Sequence, residues 1–110
     1  MQAGALNRRI RIDRGILTRD GLGGEVRTWQ PLTTVWAAMT QISDGERMRA
    51  DERAAELSAR FVIRWSLLAA SIDPQDRVIY AGKTHHIFAV KELGFREGIE
   101  ITAGARAETP

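Results

Sequence analysis

The stretch RTWQPLTTVWAAM, Arg27 to Met39, decides how the chain is read, because it holds two of the three tryptophans and one of the three prolines. Thr28, Trp29, Thr33, Thr34, Val35 and Trp36 are strand formers. Pro31 has no N–H to give to a ladder, so the segment reads as two pieces. Glu25 to Gln30 pairs back on an earlier strand, and Thr34 to Ile42 is a second, more buried run. Trp29 and Trp36 differ in parity around the break, and a bend at Pro31 turns both indoles toward one core. A sheet bent in this way begins to curl into a barrel.

The segments on either side supply partners. LNRRIRIDR, Leu6 to Arg14, alternates, with Leu6, Arg8, Ile10 and Ile12 on one face and Asn7, Arg9, Arg11 and Asp13 on the other. It reads as a half-buried strand with a basic outer face. GILTRDGLGGEV then supplies four glycines and an Asp20-Gly21 turn signal, which is a long hairpin loop with freedom to take positive φ. Downstream, Ser43 with Glu46 three residues on is a capping box, and the run to Ala59 is rich in helix formers, so a helix is expected over about 43–58. Its apolar stripe is thin, which suits a helix on the barrel surface.

ARFVIRWSLL returns to a strand pattern, with Phe61, Ile63 and Trp65 on one face. In DRVIYAGKTHHIFAV, Arg77 to Ala81 and Thr84 to Val90 flank a Gly82-Lys83 turn. GFREG reads as a further turn before a last short strand, Ile99 to Thr102, and residues of about 103–110 read as a frayed tail. The expectation is one domain over 1–110, α+β and mainly β, as a small six-stranded β-barrel with one inserted helix.

Composition bounds the function. A chain of 110 residues has room for one core, and the absence of cysteine excludes thiolate metal sites and cysteine nucleophiles. No apolar run has the length of a membrane helix, and no membrane partner is expected. Formal charge is +2 but uneven: residues 1–30 hold six arginines against three acids, and residues 44–56 hold five acids against three arginines. Opposite patches suit head-to-tail packing of identical subunits. An ordinary solvated surface explains them equally well.

Chemistry finds little support. His85 and His86 are adjacent on a strand, point to opposite faces and cannot jointly grip a metal. Gly21-Leu22-Gly23-Gly24 lacks the order and the following helix of a phosphate cradle. No catalytic, cofactor or metal site is expected. Nucleic-acid binding is the fairer rival, since Arg8, Arg9 and Arg11 form a basic strand, but the seven aromatics fall largely on positions a core needs.

Taken in order, RRIRID with its glycine loop, GGEVRTW, TTVWAAM, the charged helix, ARFVIRW and DRVIYAGKTHHIFAV resemble the phage head–tail joining proteins. These are small connector or stopper subunits of tailed phages and phage-derived particles, and the resemblance runs from Leu6 to about Ile101. It implies a non-enzymatic ring subunit that joins the DNA-filled head to the tail and helps retain DNA. The implied partners are copies of itself, a portal or adaptor ring on the head side, a tail terminator or tail tube on the other, and DNA in the channel without sequence specificity. The implied location is the head–tail junction of a virion or phage-like particle assembled in the bacterial cytoplasm. Trp29 and Trp36 match the family's two tryptophan positions and read as large core fillers. Expected contacts with neighbours involve Arg9 and Arg11, the loop residues Asp20, Gly21 and Gly23, and Arg49, Asp51, Glu52 and Glu56 of the helix. A monomeric nucleic-acid-binding barrel is the alternative.

Overall fold

The computed structural model describes residues 5–42 and 58–104. Among these residues the chain forms six antiparallel strands: β1 (Arg8–Arg19), β2 (Glu25–Gln41), β3 (Ser58–Arg64), β4 (Arg77–Tyr80), β5 (Lys83–Leu93) and β6 (Gly98–Gly104). One short helix, α1 (Leu67–Ala70), lies between β3 and β4. The strands neighbour one another in the order β1-β2-β3-β6-β5-β4, and β4 returns to β1 through Arg11↔Ile79, Ile12↔Val78 and Asp13↔Arg77, which closes the sheet.

The core follows from alternation. Ile10 and Ile12 of β1, Phe61 and Ile63 of β3, Val78 of β4, Ile87 of β5 and Ile99 and Ile101 of β6 are all buried inside the closed sheet. Ala37, Ala59 and Ala103 fill the spaces too narrow for larger side chains. Ala69 of α1 and Ile72 after it plug one end. Ser66 caps α1 by accepting from the Ala69 N–H at 2.9 Å.

The closed sheet uses only part of its two longest strands. β1 meets β4 only over Arg11–Asp13, and β2 meets β3 only over Ala37–Gln41. Beyond those residues, and among the described ones, Arg14–Arg19 and Glu25–Gln30 pair only with each other, as a two-stranded ribbon that leaves the barrel. The chain accordingly extends 49 × 33 × 24 Å.

Several expectations need correction. β2 is one strand through Pro31, not two pieces. The pairing register shifts by one between Ile12 and Asp13, from Ile12↔Thr33 to Asp13↔Pro31, so Leu32 is the extra residue of a bulge. Asp20 donates its N–H to the Gly24 carbonyl at 3.0 Å, which makes 20/24 a hydrogen-bonded pair. Alternation then makes 13/31 a non-hydrogen-bonded pair whose N–H groups point away from the partner. Proline is tolerated at 31 because its missing N–H falls on an edge with no neighbouring strand among the described residues.

The bulge does bring both tryptophans to one face, but it is the outer one. Trp29 pairs with Gly15 and Trp36 with Arg9, both on the outward parity of β1. Trp36 is 51 % exposed and is no core filler. Asp13, expected on the solvated outer face, is 2 % exposed because Arg11 and Arg77 close over it. The strand expected through Trp65 and beyond stops at Arg64, and residues 67–70 turn as α1. Ala103 and Gly104, expected in the tail, are buried in β6. The helix expected over about 43–58 falls on residues outside those described, except Ser58, which opens β3.

Candidate functional site

The ribbon is built to be held at its base and presented at its tip. At the base, Arg14 Nε and Nη2 donate to the two carboxylate oxygens of Asp76 at 3.1 and 3.0 Å. Nη2 also donates to the Ser71 carbonyl at 3.0 Å. Asp76 is 4 % exposed and also accepts from the Asp73 N–H at 3.1 Å. The hydrogen bond to Asp76 raises the Arg14 guanidinium above its ordinary pKa, against the cost of desolvation. On the opposite face, Arg11 Nε donates to Asp13 at 2.7 Å and Arg77 Nε at 3.2 Å. The bond from Arg11 chiefly holds the Asp13 carboxyl below the usual range, and Arg77 adds to it against the opposing pull of burial.

At the tip, the Asp20 carboxylate accepts from the N–H groups of Leu22 and Gly24 at 2.8 and 2.9 Å. Gly21 and Gly23 carry φ of +80° and +88°, which a Cβ would disfavour. Asp20, Gly21 and Gly23 therefore act as the frame of a turn whose product is Leu22, 93 % exposed. Ile16, Leu17 and Val26 are exposed along the ribbon behind it.

The same end of the barrel carries more apolar surface. Leu67 and Leu68 of α1 are exposed, and Phe95, in the turn between β5 and β6, is 87 % exposed. Arg96 lies 5.0 Å over the Trp65 ring beside it. Apart from Trp36, every large apolar side chain conspicuously exposed among the described residues is on the ribbon or at the end from which it springs. Concentrated apolar surface of this kind marks protein contact.

The outer face of β1 and β2 carries Arg9 and Arg11. Arg9 stacks 4.9 Å over Trp36, and Trp29 lies under Arg77 at 4.2 Å and Arg27 at 5.6 Å. Stacked tryptophan and arginine are the side chains that interfaces favour. The structure thus brings Arg9 and Arg11 onto one face with Trp36, and gathers Asp20, Gly21 and Gly23 at the ribbon tip. Arg49, Asp51, Glu52 and Glu56 lie outside the described residues.

A cavity of about 260 Å³ opens at the other end of the barrel, lined by Met39, Gln41, Ser58, Tyr80, Lys83 and His85 among others. His85 is buried, with Nδ1–H donating to the Lys83 carbonyl at 3.1 Å and its ring edge-on to Phe61 at 5.9 Å. Burial holds its pKa below the ordinary 6.5. His86 points out to solvent, as adjacent strand residues must. Among the described residues no group of three His, Cys, Asp or Glu side chains stands together as metal ligands, and no helix is long and apolar enough to cross a membrane.

Sequence reasoning missed Ile16, Leu17, Leu22 and Val26. The usable signal was the adjacent pair Ile16-Leu17, apolar on both faces of a segment for which one barrel offers no second layer.

A family model described as phage head completion protein matches residues 1–106. A protein of Shigella flexneri 2a, known from its solution structure, is 27 % identical, with a TM-score of 0.79 over 99 % of this chain and 100 % of that one. A chain from the virion of a native gene transfer agent particle is 28 % identical, with a TM-score of 0.66 over 93 % of this chain and 96 % of that one. No curated protein gives a significant match.

Proposed function

Because the chain belongs to the phage head completion protein family, we propose that it works as a ring subunit of the connector between the DNA-filled head and the tail. In this role it is a stopper or adaptor and structural rather than enzymatic. It seats on a portal or adaptor ring on the head side and receives a tail terminator or tail tube on the other. DNA passes through or is held in the channel by contacts that do not read its sequence. The particle at whose head–tail junction it sits is a virion or a phage-like relative, in keeping with the similarity to a gene transfer agent virion chain.

The family match over residues 1–106 carries this reading. The structure supports it through a closed barrel whose exposed apolar surface gathers on one projecting arm and the end beneath it, an arrangement suited to docking between layers. Arg9 and Arg11 are proposed to meet the acidic side chains Asp51, Glu52 and Glu56 of a neighbouring copy.

The test is deletion of the gene from a particle-producing strain. Filled heads without tails should accumulate, and the full chain supplied in trans should restore joined particles. Tailed particles at the parental yield without the chain would refute the proposal.

A further inference from the structure

Among the described residues the ribbon leaves two free edges of different identity, one along Arg14–Arg19 of β1 and one along Glu25–Gln30 of β2. We propose that in the assembled ring the β1 edge of each copy's ribbon pairs with the β2 edge of the next copy's, so that the ribbons form one continuous antiparallel sheet around the ring. This rests on the ring-subunit reading above and specifies its partner, a second copy of this chain.

Four observations converge on that partner. First, free strand edges template pairing, and the ribbon carries two of them, one on each strand, among exposed apolar side chains. Second, unlike edges make a heterologous contact, and such a contact closes into a ring that leaves no edge unpaired.

Third, the hydrogen-bonding parity fits. Since 20/24 is a bonded pair, 18/26, 16/28 and 14/30 spend their N–H and C=O groups inside the ribbon. The groups of Gly15, Leu17 and Arg19 on β1, and of Trp29, Arg27 and Glu25 on β2, point outward. In a ring whose arms all reach the same height, Gly15, Leu17 and Arg19 fall opposite Trp29, Arg27 and Glu25 of the neighbour, outward groups against outward groups. A slip by one residue would set outward groups against spent ones.

Fourth, the same level register is complementary in charge. It places Arg19 of one copy beside Glu25 of the next, as Arg19 already lies beside Glu25 in its own ribbon. It also aligns Ile16, Thr18, Val26 and Thr28 of successive copies on one face, which becomes a continuous band of apolar and threonine side chains.

The chain has no cysteine, so introduced thiols report cleanly. In the proposed sheet Thr18 and the neighbour's Val26 form a non-hydrogen-bonded pair, with Cα atoms about 4.5 Å apart, within disulfide reach. Thr18→Cys and Val26→Cys chains are co-produced in a strain lacking the parental gene, and purified particles are oxidised with diamide. A covalent dimer of the two variants is expected, with none from particles carrying either variant alone, because like positions are two strands apart.

Leu17→Pro removes an outward N–H while leaving the internal ladder whole, and should lower joined particles at least tenfold with a parental melt. Leu17→Ser keeps the N–H and should stay within twofold of the parent. Particles that hold several copies per junction yet give no mixed dimer, or in which the Thr18→Cys chain links to another virion protein instead, overturn the ribbon pairing and leave the ring reading standing. A single copy per junction overturns both. Should Leu17→Pro fail to fold, the mixed disulfide decides alone.

Discussion

Arg77 and Asp13 meet across β4 and β1 at 3.2 Å, and the same guanidinium lies 4.2 Å over the Trp29 ring, so one arginine ties the barrel to the base of the ribbon. Asp13 is buried and Arg11 is its second donor.

Asp13→Asn should therefore destabilise the chain by about 1.5–3 kcal/mol at pH 7, the range for hydrogen bonds to charged groups. The folded pKa of Asp13 is lowered, so its contribution is complete above the unfolded value near 3.9 and is lost as pH falls through the lower folded value. Urea unfolding of parent and variant at pH 7 and at pH 3 should show the gap narrowing at the acid end. A gap independent of pH would mean that the carboxylate's charge is not what stabilises.

His85 also weakens the fold in acid, but over a higher pH range and by desolvation rather than by loss of an ion pair. Its folded pKa is lowered, so below about 6.5 the unfolded chain takes up a proton that the buried ring refuses. Stability should hold above that value and decline toward pH 5 by up to about 1.4 kcal/mol per pH unit. His85→Gln should flatten that limb of the profile. An unchanged slope in the variant would assign the decline to other groups.

Trp36→Ala and Phe61→Ala should separate surface from core. Phe61 is fully buried, and its truncation should cost about 3–5 kcal/mol. Trp36, half exposed under Arg9, should cost within about 1 kcal/mol. If Trp36 serves an interface, joined particles fall sharply although the isolated chain melts as the parent does. Parental joining yields from Trp36→Ala would remove that face from the assembly.

The proposed contact between the basic outer face and the acidic segment is tested by charge. Reversing Asp51, Glu52 and Glu56 to lysine together should block joining, and adding Arg9→Glu and Arg11→Glu should partly restore it. Counts of tailed particles by electron microscopy give the readout. Normal joining in the triple variant would dissolve the pairing.

Strand alternation was legible where one face of a strand is buried and the other wet. It put Ile10 and Ile12 of β1 on one face and Phe61 and Ile63 of β3 on another, while the turn signals at Gly82 and at Gly94 to Gly98 placed β4, β5 and β6. What alternation cannot carry is a bulge, because Leu32 has nothing in its chemistry to mark it as the extra residue. That single shift decided the orientation of Trp29 against Trp36. The reading of Pro31 failed for a related reason: proline breaks a ladder only on the side its nitrogen faces, and that side depends on pairing parity. α1 escaped because four residues give no helical period, although Ser66 before Leu67 was a cap signal. The Asp20-Gly21 turn signal fell at the ribbon tip, but the loop was read as long, from Gly15 on, whereas β1 runs to Arg19 and β2 starts at Glu25, so Ile16, Leu17 and Val26 were read as hairpin loop or as ordinary strand.

The ribbon has one more property, which concerns how such an arm can change over generations. Its tip is self-contained, since Asp20 organises its own turn, and its base is clamped independently by Arg14 and Asp76. Between them each residue adds about 3.4 Å of reach. Two residues inserted in each strand lengthen the arm by roughly 7 Å and restore the orientation of every side chain beyond the insertion. One inserted in each turns the whole tip over. Related chains that must span a thicker or thinner neighbouring layer can therefore vary this ruler in two-residue steps, with the barrel untouched.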